Sequence, residues 1–317
     1  MMMDQNPLVT IVIPVYNGSN YMREAIDSAL AQTYSNVEII VVNDGSTDET
    51  ESIALSYGDR IRYFRKENGG VSSALNLGIR EMRGEYFSWL SHDDKYEPHK
   101  IENQIALLSQ FDDERLIAVC QSKQINKNSE QILSKKRNER QLNQIIGWEE
   151  ALMDVIMHGP LNGCALLIPK IAFDDCGLFD ESLRYSQDAL MWMQIFLKKY
   201  RIVFSGDCDV CIRVHNNQLS QTGREIFHKD SRYIGAKLFE PLASISTKKR
   251  NYVYQFAKRH AVFNNPRVVD LYISAGKERR LIGPFGALKL WFYGLYGRVR
   301  PAVRRAYYRV FKHVKTQ

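Results

Sequence analysis

Strand and helix patterns alternate through the first hundred residues, and this alternation limits the fold more than any other feature of the sequence. Apolar, β-branched runs predict strands at residues 8–14, 37–44, 61–64 and 86–90. The second run, VEIIVVND, is continuous rather than alternating, which is typical of a strand buried on both faces of a parallel sheet. Because helical patterns separate the strands, the β-α-β-α-β-α-β order predicts a doubly wound, mostly parallel α/β sheet flanked by helices.

The rest of the chain continues this pattern and then becomes mostly helical. Ser46 and Glu49 have the spacing of a capping box, which predicts that the second helix begins there. Further strands are predicted at residues 116–120, 165–169, 201–204 and 211–214. The polar segment 121–147 is either a solvated loop or a region that contacts an acceptor. We therefore expect one domain over residues 1–220 and a mostly helical region over 221–317.

Polar residues follow three of the predicted strands at the points where those strands end. The three segments are PVYNG at 14–18, NDGS at 43–46 and SHDD at 91–94. Because ligands bind at the carboxyl ends of strands in open α/β sheets, the segments are expected to converge on one crevice. Asp93 and Asp94 are adjacent carboxylates that repel one another. A solvated turn or a divalent cation would each relieve that repulsion, so a metal site is one of two interpretations.

The charge of the chain is concentrated at its C-terminal end. The formal net charge is +7, but residues 281–317 carry eight Lys or Arg and no Asp or Glu. The rest of the chain is close to neutral, which excludes a basic nucleic-acid-binding domain. No signal peptide is visible, and no apolar run reaches the roughly 18 residues of a membrane span. The five scattered cysteines are typical of a reducing compartment, and the pair Cys208 and Cys211 is expected to pack rather than bind metal.

Three segments together resemble family 2 of the inverting glycosyltransferases, which have the GT-A fold. They are VTIVIPVYNGSNYMREAIDSALAQTYSNVEIIVVNDGSTDET, GGVSSALNLGIREMRGEYFSWLSHDDKYEP and GLFDESLRYSQDALMWMQI. The resemblance covers roughly residues 8–219, about two thirds of the chain. It implies an enzyme that moves a sugar from a nucleotide diphosphate sugar to an acceptor hydroxyl, with inversion at the anomeric carbon.

The resemblance assigns the donor site to the three strand ends. Tyr16 resembles the residue that stacks on the nucleotide base, and Asp44 matches the acidic position that reads a uracil N–H. A turn former is the alternative reading of Asp44. The nucleotide-binding set implied by the resemblance is completed by Pro14, Asn17, Asn76 and Asp93. Uridine diphosphate is favoured, while guanosine and thymidine diphosphates remain open.

The resemblance also implies a divalent metal, Mn²⁺ or Mg²⁺, that stabilises charge on the departing diphosphate. Asp93 aligns with the principal metal ligand of the family. Ser91 stands where the first acid of an Asp-x-Asp motif usually stands, which leaves fewer anionic ligands. The expected metal ligands are therefore Asp93, Asp94 and His215.

Inversion needs one carboxylate that takes the acceptor proton. Family members place it in an acidic pair before an apolar helix, and here that pair is Gln187-Asp188, so Asp188 is the expected base. A helix N-cap is the alternative for Asp188. Arg213 belongs to an R-x-H that relatives often carry, so Arg213 and Gln187 are expected on the phosphate or acceptor side. Leu75 stands where relatives often have Arg, so one phosphate-side cation is missing.

The basic tail has an amphipathic pattern after Pro301. One helical face is shared by Val303, Tyr307, Val310, Phe311 and Val314, while the basic residues Arg304, Arg305, Lys312 and Lys315 point elsewhere. Such a helix is typical of an anionic lipid surface, and docking onto the domain is the alternative. With the resemblance, the tail predicts a cytoplasmic, peripheral membrane enzyme. Its expected acceptor is a glycan or lipid-linked molecule of bacterial surface polysaccharide, lipopolysaccharide or capsule assembly.

Other functions fit the sequence less well. No Gln-x-x-Arg-Trp motif is present, so transfer of a single hexosyl or N-acetylhexosaminyl group is expected rather than processive synthesis. The alternative function is a non-catalytic nucleotide-sugar binder or membrane scaffold on the same fold. This alternative is suggested by Ser91 and Leu75, which replace an acid and an Arg of the family. A nucleotidyltransferase would carry a Gly-rich basic loop after the first strand, and a dehydrogenase would carry G-x-G-x-x-G there. PVYNGSN matches neither.

Overall fold

The computed structural model describes residues 6–134, 142–215, 224–263 and 265–312. In the tail it describes the backbone through Lys312 and side chains through Arg298, so the predicted amphipathic face over 303–315 lies outside the described side chains. The chain forms two compact units, one of residues 1–155 with 160–223 and one of residues 156–159 with 224–317.

The first unit is built on a ten-stranded sheet. The strands are β1 Val9–Val15, β2 Val37–Asn43, β3 Arg62–Arg65, β4 Tyr86–Trp89, β5 Lys95–Tyr96, β6 Leu116–Ile125, β7 Gln131–Ser134, β8 Ile145–Ile146, β9 Leu166–Pro169 and β10 Arg201–Arg213. Their order is β3-β2-β1-β4-β9-β6-β10-β5, with β7 beside β6 and β8 beside β10. Strands β3, β2, β1 and β4 are parallel, β9 is antiparallel to both of its neighbours, and β6 and β10 are parallel. The expected doubly wound, mostly parallel sheet is confirmed.

Helices of the first unit flank this sheet. They are α1 Met22–Leu30, α2 Thr50–Leu55, α3 Val71–Glu81, α4 Lys100–Leu108, α5 Trp148–His158, α6 Ile171–Cys176 and α7 Gln187–Leu197, and α5 runs into residues of the second unit. The capping box predicted at Ser46 is wrong. The Ser46 hydroxyl instead accepts a hydrogen bond from the Asn17 amide, and α2 begins at Thr50, whose N–H donates to Asp48.

One other prediction differs from the structure. The strands expected at 201–204 and 211–214 are one strand, β10, whose pairing with β6 shifts register around Cys208. Cys208 and Cys211 therefore lie within the sheet, on β10. In the described ranges, no group of three or more His, Cys, Asp or Glu is arranged to hold a metal ion. The segment 121–147 has two interpretations, a solvated loop or a region that contacts an acceptor. Its described residues contain the end of β6 and the short strands β7 and β8.

The second unit consists mainly of helices. They are α8 Arg224–Ile245, α9 Tyr252–Val262, α10 Pro266–Glu278 and α11 Pro284–Lys312. Their core is aromatic, with the Phe256 ring stacked on the Tyr272 ring at a centroid distance of 4.9 Å. Within the ranges described, none of the helices combines the length and apolar character that crossing a bilayer demands.

Helix α3 packs closely against strand β1 at the centre of the sheet. Gly78 of α3 lies directly against the side chain of Val12, which is fully buried in β1. A Cβ added to Gly78 would overlap the methyl groups of Val12. Because Val12 is β-branched and enclosed, it has no alternative rotamer that opens space.

We predict that Gly78→Ala destabilises the protein by about 1–2 kcal/mol, because overpacking against Val12 outweighs the higher helix propensity of alanine. Urea unfolding measures this change. Gly294→Ala is the matched control, since Gly294 also lies within a helix and a Cβ there meets no atom within 4 Å, and the variant should be no less stable than the wild type. Equal stability of the two variants would contradict the packing argument.

Candidate active site

The loops after β1 and β2 are interlocked by hydrogen bonds. The Asn17 N–H donates to Ser46 Oγ at 2.9 Å, and the Thr47 N–H donates back to Asn17 Oδ1 at 2.9 Å. The Gly18 N–H donates to Thr50 Oγ1 at 3.0 Å. Asn17 adopts a positive φ of 50°, a conformation that asparagine tolerates better than most residues. These bonds bring the first two predicted polar segments together at one edge of the sheet.

Asp44 is a buried carboxylate at the end of β2, with 3% of its surface exposed. Its Oδ1 accepts from Lys66 Nζ at 2.8 Å and from the Gly69 N–H at 2.9 Å, and its Oδ2 accepts from the Gly70 N–H at 2.7 Å. A carboxylate has about four acceptor positions, so these three donors leave one for a further partner. Asp44 therefore fixes the segment that leads into α3.

Tyr16 and Pro14 differ in accessibility although they are two residues apart. Pro14 is buried within β1, where it pairs with Val42 of β2. Tyr16 follows the strand and exposes 49% of its surface. The ring of Tyr16 is thus available for stacking, whereas Pro14 shapes the strand that carries it.

Asn76 is buried on α3 and its amide is engaged within the protein. Its Nδ2 donates to Phe179 O at 2.9 Å and to Glu181 Oε1 at 2.8 Å, and its Oδ1 accepts from the Phe179 N–H at 2.9 Å. The amide therefore holds the segment before α7 against α3, rather than extending toward a nucleotide as the resemblance implied.

Asp93 and His215 lie together although 122 residues separate them in the chain. His215 Nε2 is 3.0 Å from Asp93 Oδ2, and both side chains keep part of their surface exposed. The Tyr21 ring packs beside the imidazole at a centroid distance of 5.5 Å. A carboxylate and an imidazole in this position are two side chains that a divalent cation could bind.

Asp94 has an internal role that separates it from Asp93. Its Oδ1 accepts from the Arg213 N–H at 2.9 Å, and its Oδ2 is 3.5 Å from the Cys164 thiol. Burial, followed by the charge of Asp93, raises the pKa of Asp94 to about 8. Ser91 also faces Cys164, with its Oγ 3.4 Å from Sγ. These contacts favour a neutral, structural Asp94 rather than the metal ligand that the resemblance implied.

Arg213 is fully buried, and its guanidinium binds protein groups rather than lining the crevice. Nε donates to Asp93 O at 2.9 Å, and Nη2 donates to Glu24 at 3.0 Å. Nη1 donates to Ser129 Oγ at 3.0 Å, and the guanidinium carbon lies 4.4 Å from the centroid of the Tyr21 ring. The expectation that Arg213 faces a phosphate does not fit these contacts, because every arm of the fork has a partner inside the protein.

Asp188 lies in the first turn of α7 and is half-buried. Its Oδ1 accepts from the Ala189 N–H at 2.7 Å, while Oδ2 has no hydrogen-bond partner in the described part of the chain. Burial raises the pKa of Asp188 to about 6. The neighbouring Gln187 is buried, and its Oε1 has no partner among the residues that the structure covers. A carboxylate with one open oxygen and a raised pKa suits proton acceptance near neutral pH.

Arg184 is a candidate that the sequence analysis missed. It is exposed, and its Nη1 lies 2.7 Å from the position of a Cβ built on Gly70. Gly70 is the residue whose N–H binds Asp44, and it precedes the first turn of α3. The guanidinium makes no hydrogen bond or ion pair with any residue that the structure describes. No local pattern marks Arg184, because 114 residues separate it from Gly70 in the chain.

Comparisons with known proteins identify a family and relatives of the chain. Residues 10–161 match the family model described as Glycosyl transferase family 2. Over 221 residues the chain is 52% identical to an uncharacterized glycosyltransferase of Rickettsia typhi, covering 68% of this chain and 67% of that protein. A second uncharacterized glycosyltransferase, of Rickettsia prowazekii, is 51% identical over the same shares.

Two solved structures are similar in fold. Staphylococcus aureus TarS 1–349 in complex with UDP has a TM-score of 0.67 and 18% identity, covering 94% of this chain and 92% of that one. The mannosyltransferase PcManGT from Pyrobaculum calidifontis, in complex with GDP-Man and Mn²⁺, has a TM-score of 0.59 and 18% identity, covering 98% and 87%. At this identity the similarity shows the shared GT-A fold alone.

We predict that Asp188→Asn raises stability at pH 8 by about 1–3 kcal/mol, because it removes a buried charge while an oxygen remains for the Ala189 N–H. The folded pKa lies above the unfolded one, so the wild type loses stability as the pH rises through 4 to 6. Urea unfolding at pH 4 and pH 8 tests this, and the advantage of the variant should shrink at pH 4. Asp59→Asn, at an exposed aspartate, should show no such pH-dependent difference.

Proposed function

Because the chain belongs to family 2 of the glycosyltransferases, we propose that it transfers a single sugar from a nucleotide diphosphate sugar to an acceptor hydroxyl with inversion. The sugar is a hexosyl or N-acetylhexosaminyl group, and UDP is the favoured nucleotide. The half-buried Asp188, with one unpartnered oxygen and a pKa raised to about 6, is the observation that carries the proposal. A lipid-linked or glycan acceptor of surface polysaccharide assembly, as for lipopolysaccharide or capsule, fits this chemistry.

The nucleotide is proposed to bind at the interlocked loops after β1 and β2. The exposed Tyr16 ring would stack on the base. The remaining acceptor position of Asp44 would take an N–H from the base edge, which a uracil supplies. Asn17 lies on the same loop as Tyr16 and would contribute polar contacts. The solved TarS complexes contain UDP and UDP-GlcNAc, and the mannosyltransferase contains GDP-Man, so both nucleotides belong in a donor test.

Asp93 and His215 fit a divalent cation, Mn²⁺ or Mg²⁺, as a partial ligand set. The two side chains are adjacent and partly exposed, and donor oxygens or water would complete a hard cation's coordination. The bound ion would supply positive charge beside the diphosphate. Asp94 contributes by holding the end of β10, which carries His215, through the Arg213 N–H.

Asp188 is proposed to act as the general base. Its carboxylate accepts the proton of the acceptor hydroxyl while that oxygen forms a bond to the anomeric carbon. The bond from the anomeric carbon to the diphosphate oxygen breaks, and the nucleoside diphosphate leaves with the electron pair. Gln187 precedes Asp188 and is proposed to lie on the acceptor side of the site. Because the base must be ionised, turnover requires a pH above the pKa of Asp188.

Arg184 is proposed to supply the cation that Leu75 does not. Leu75 is fully buried in α3 and cannot contact a ligand. Although Arg184 is distant from Gly70 in the sequence, its guanidinium lies beside Gly70 at the N-terminus of α3. A guanidinium binds phosphate oxygens through paired N–H donors, so the donor diphosphate is the expected partner.

We predict that Asp188→Asn lowers kcat by about 10²–10⁴-fold and leaves donor affinity nearly unchanged, because only the proton acceptor is lost. UDP-, GDP- and dTDP-sugars are assayed with Mn²⁺ or Mg²⁺, with membrane extract as the acceptor source, and binding is measured by calorimetry. In the wild type, kcat/KM should rise with pH through about 6. Asp59→Asn is the control. If the wild type and both variants bind a donor but none of them turns it over, the result would support a non-catalytic nucleotide-sugar binder instead.

We predict that Arg184→Ala raises the donor KM by about tenfold with little change in kcat, because a ground-state phosphate contact is lost. Arg184→Lys should recover part of the affinity, since it keeps the charge and loses the paired donors. Arg83→Ala, at an exposed arginine preceding β4, is the control. An unchanged KM for Arg184→Ala would remove this residue from the donor site.

A further inference from the structure

Helix α11 carries six large apolar side chains that are exposed to solvent. They are Phe285, Leu288, Trp291, Phe292, Leu295 and Tyr296, here called the α11 open face. Phe285 exposes 69% of its surface and Trp291 exposes 58%. Isolated exposed apolar residues are common, but six on one helix form a contiguous patch of the kind that marks an interaction surface.

The open face is separate from the face with which α11 packs in its own unit. At about 100° per residue, its six side chains cover an arc of about 140°. Leu290 lies outside this arc and is fully buried. Gly297 is also outside it, and a Cβ built there would lie 2.5 Å from Ala261 O of α9. The helix therefore satisfies its internal packing and retains a second apolar face.

The open face belongs to a basic segment of the chain. Lys289 Nζ lies 4.7 Å from the centroid of the Phe285 ring. The segment 281–317, which includes all of α11, has eight Lys or Arg and no Asp or Glu. Aromatic side chains combined with positive charge match the composition of helices that lie in the headgroup region of anionic bilayers.

We propose that the α11 open face is a membrane-binding surface that inserts its aromatic side chains into a bilayer containing anionic lipid. Each buried aromatic ring contributes apolar transfer energy, and each nearby Lys or Arg adds electrostatic attraction to the lipid headgroups. A second copy of the chain is the poorer partner, because pairing two open faces would bring two acid-free, basic segments together. This surface is independent of the sugar transfer proposed above, since it lies on the second unit and uses none of the donor-site residues.

The test uses the full chain and vesicles of phosphatidylcholine alone or with 30% phosphatidylglycerol. Flotation should recover the wild type with the anionic vesicles and at least tenfold less with neutral ones or in high salt. Phe285→Glu with Trp291→Glu should reduce recovery at least tenfold, because charge opposes insertion. Leu55→Glu is the matched control, since Leu55 of α2 is 59% exposed and lies on the first unit. The fluorescence of Trp291 should shift to the blue on binding, and Trp291→Phe should remove that shift.

Several results would overturn the proposal. If the wild type does not float with anionic vesicles, the open face serves a protein partner, and light scattering would show whether that partner is a second copy. If the double glutamate variant floats as well as the wild type, binding resides in the basic charge alone. Circular dichroism of the double glutamate variant and of Leu55→Glu shows whether reduced flotation reflects loss of the binding surface or unfolding of the protein. Equal flotation with neutral vesicles would refute the requirement for anionic lipid.

Discussion

The buried guanidinium of Arg213 is the interaction on which the candidate active site depends. It joins the loop after β4 through Asp93 O, the β6–β7 turn through Ser129, and α1 through Glu24. A buried cation is costly unless its donors are all paired, so these elements are stable only when they come together. Since Asp93 is one of the residues it holds and His215 follows two residues later in the chain, the two side chains are brought into contact by the same fixed group.

Buried charge elsewhere in the first unit is likewise satisfied by fixed partners. Fully buried Lys100 donates to Ser88 Oγ at 2.9 Å and to Gln104 Oε1 at 2.8 Å, and burial lowers its pKa to about 8. Asp44 is held by one lysine and two backbone amides. Asp188 is the contrast, because one of its oxygens remains unpartnered in the described residues. This difference is the reason for proposing Asp188, rather than Asp44, as the group that accepts a proton.

Local pattern predicted the central fold well and the sheet's second half less well. Strands β1, β2 and β4 are mostly apolar and mostly buried, whereas β3 is a short, partly exposed strand with an arginine at each end. The predicted bounds of all four strands agree with the structure within two residues. Strand β10 was expected as two pieces, because the polar residues near Cys208 interrupt its apolar pattern at the register shift. Strands β5 and β8 have two residues each and carry no periodicity that a sequence could display.

The sequence by itself determined which positions end the strands and which carboxylates follow them, because strand and helix periods depend on neighbours close in the chain. It therefore identified Asp93 as a candidate, and the resemblance to family 2 added Asp188. Tertiary structure alone decided that Asn76 binds the Phe179 backbone, 103 residues away, that Arg213 turns inward, and that Arg184 reaches Gly70. Sequence shows that a side chain is polar, but its partner is chosen by segments that meet only when the sheet has formed.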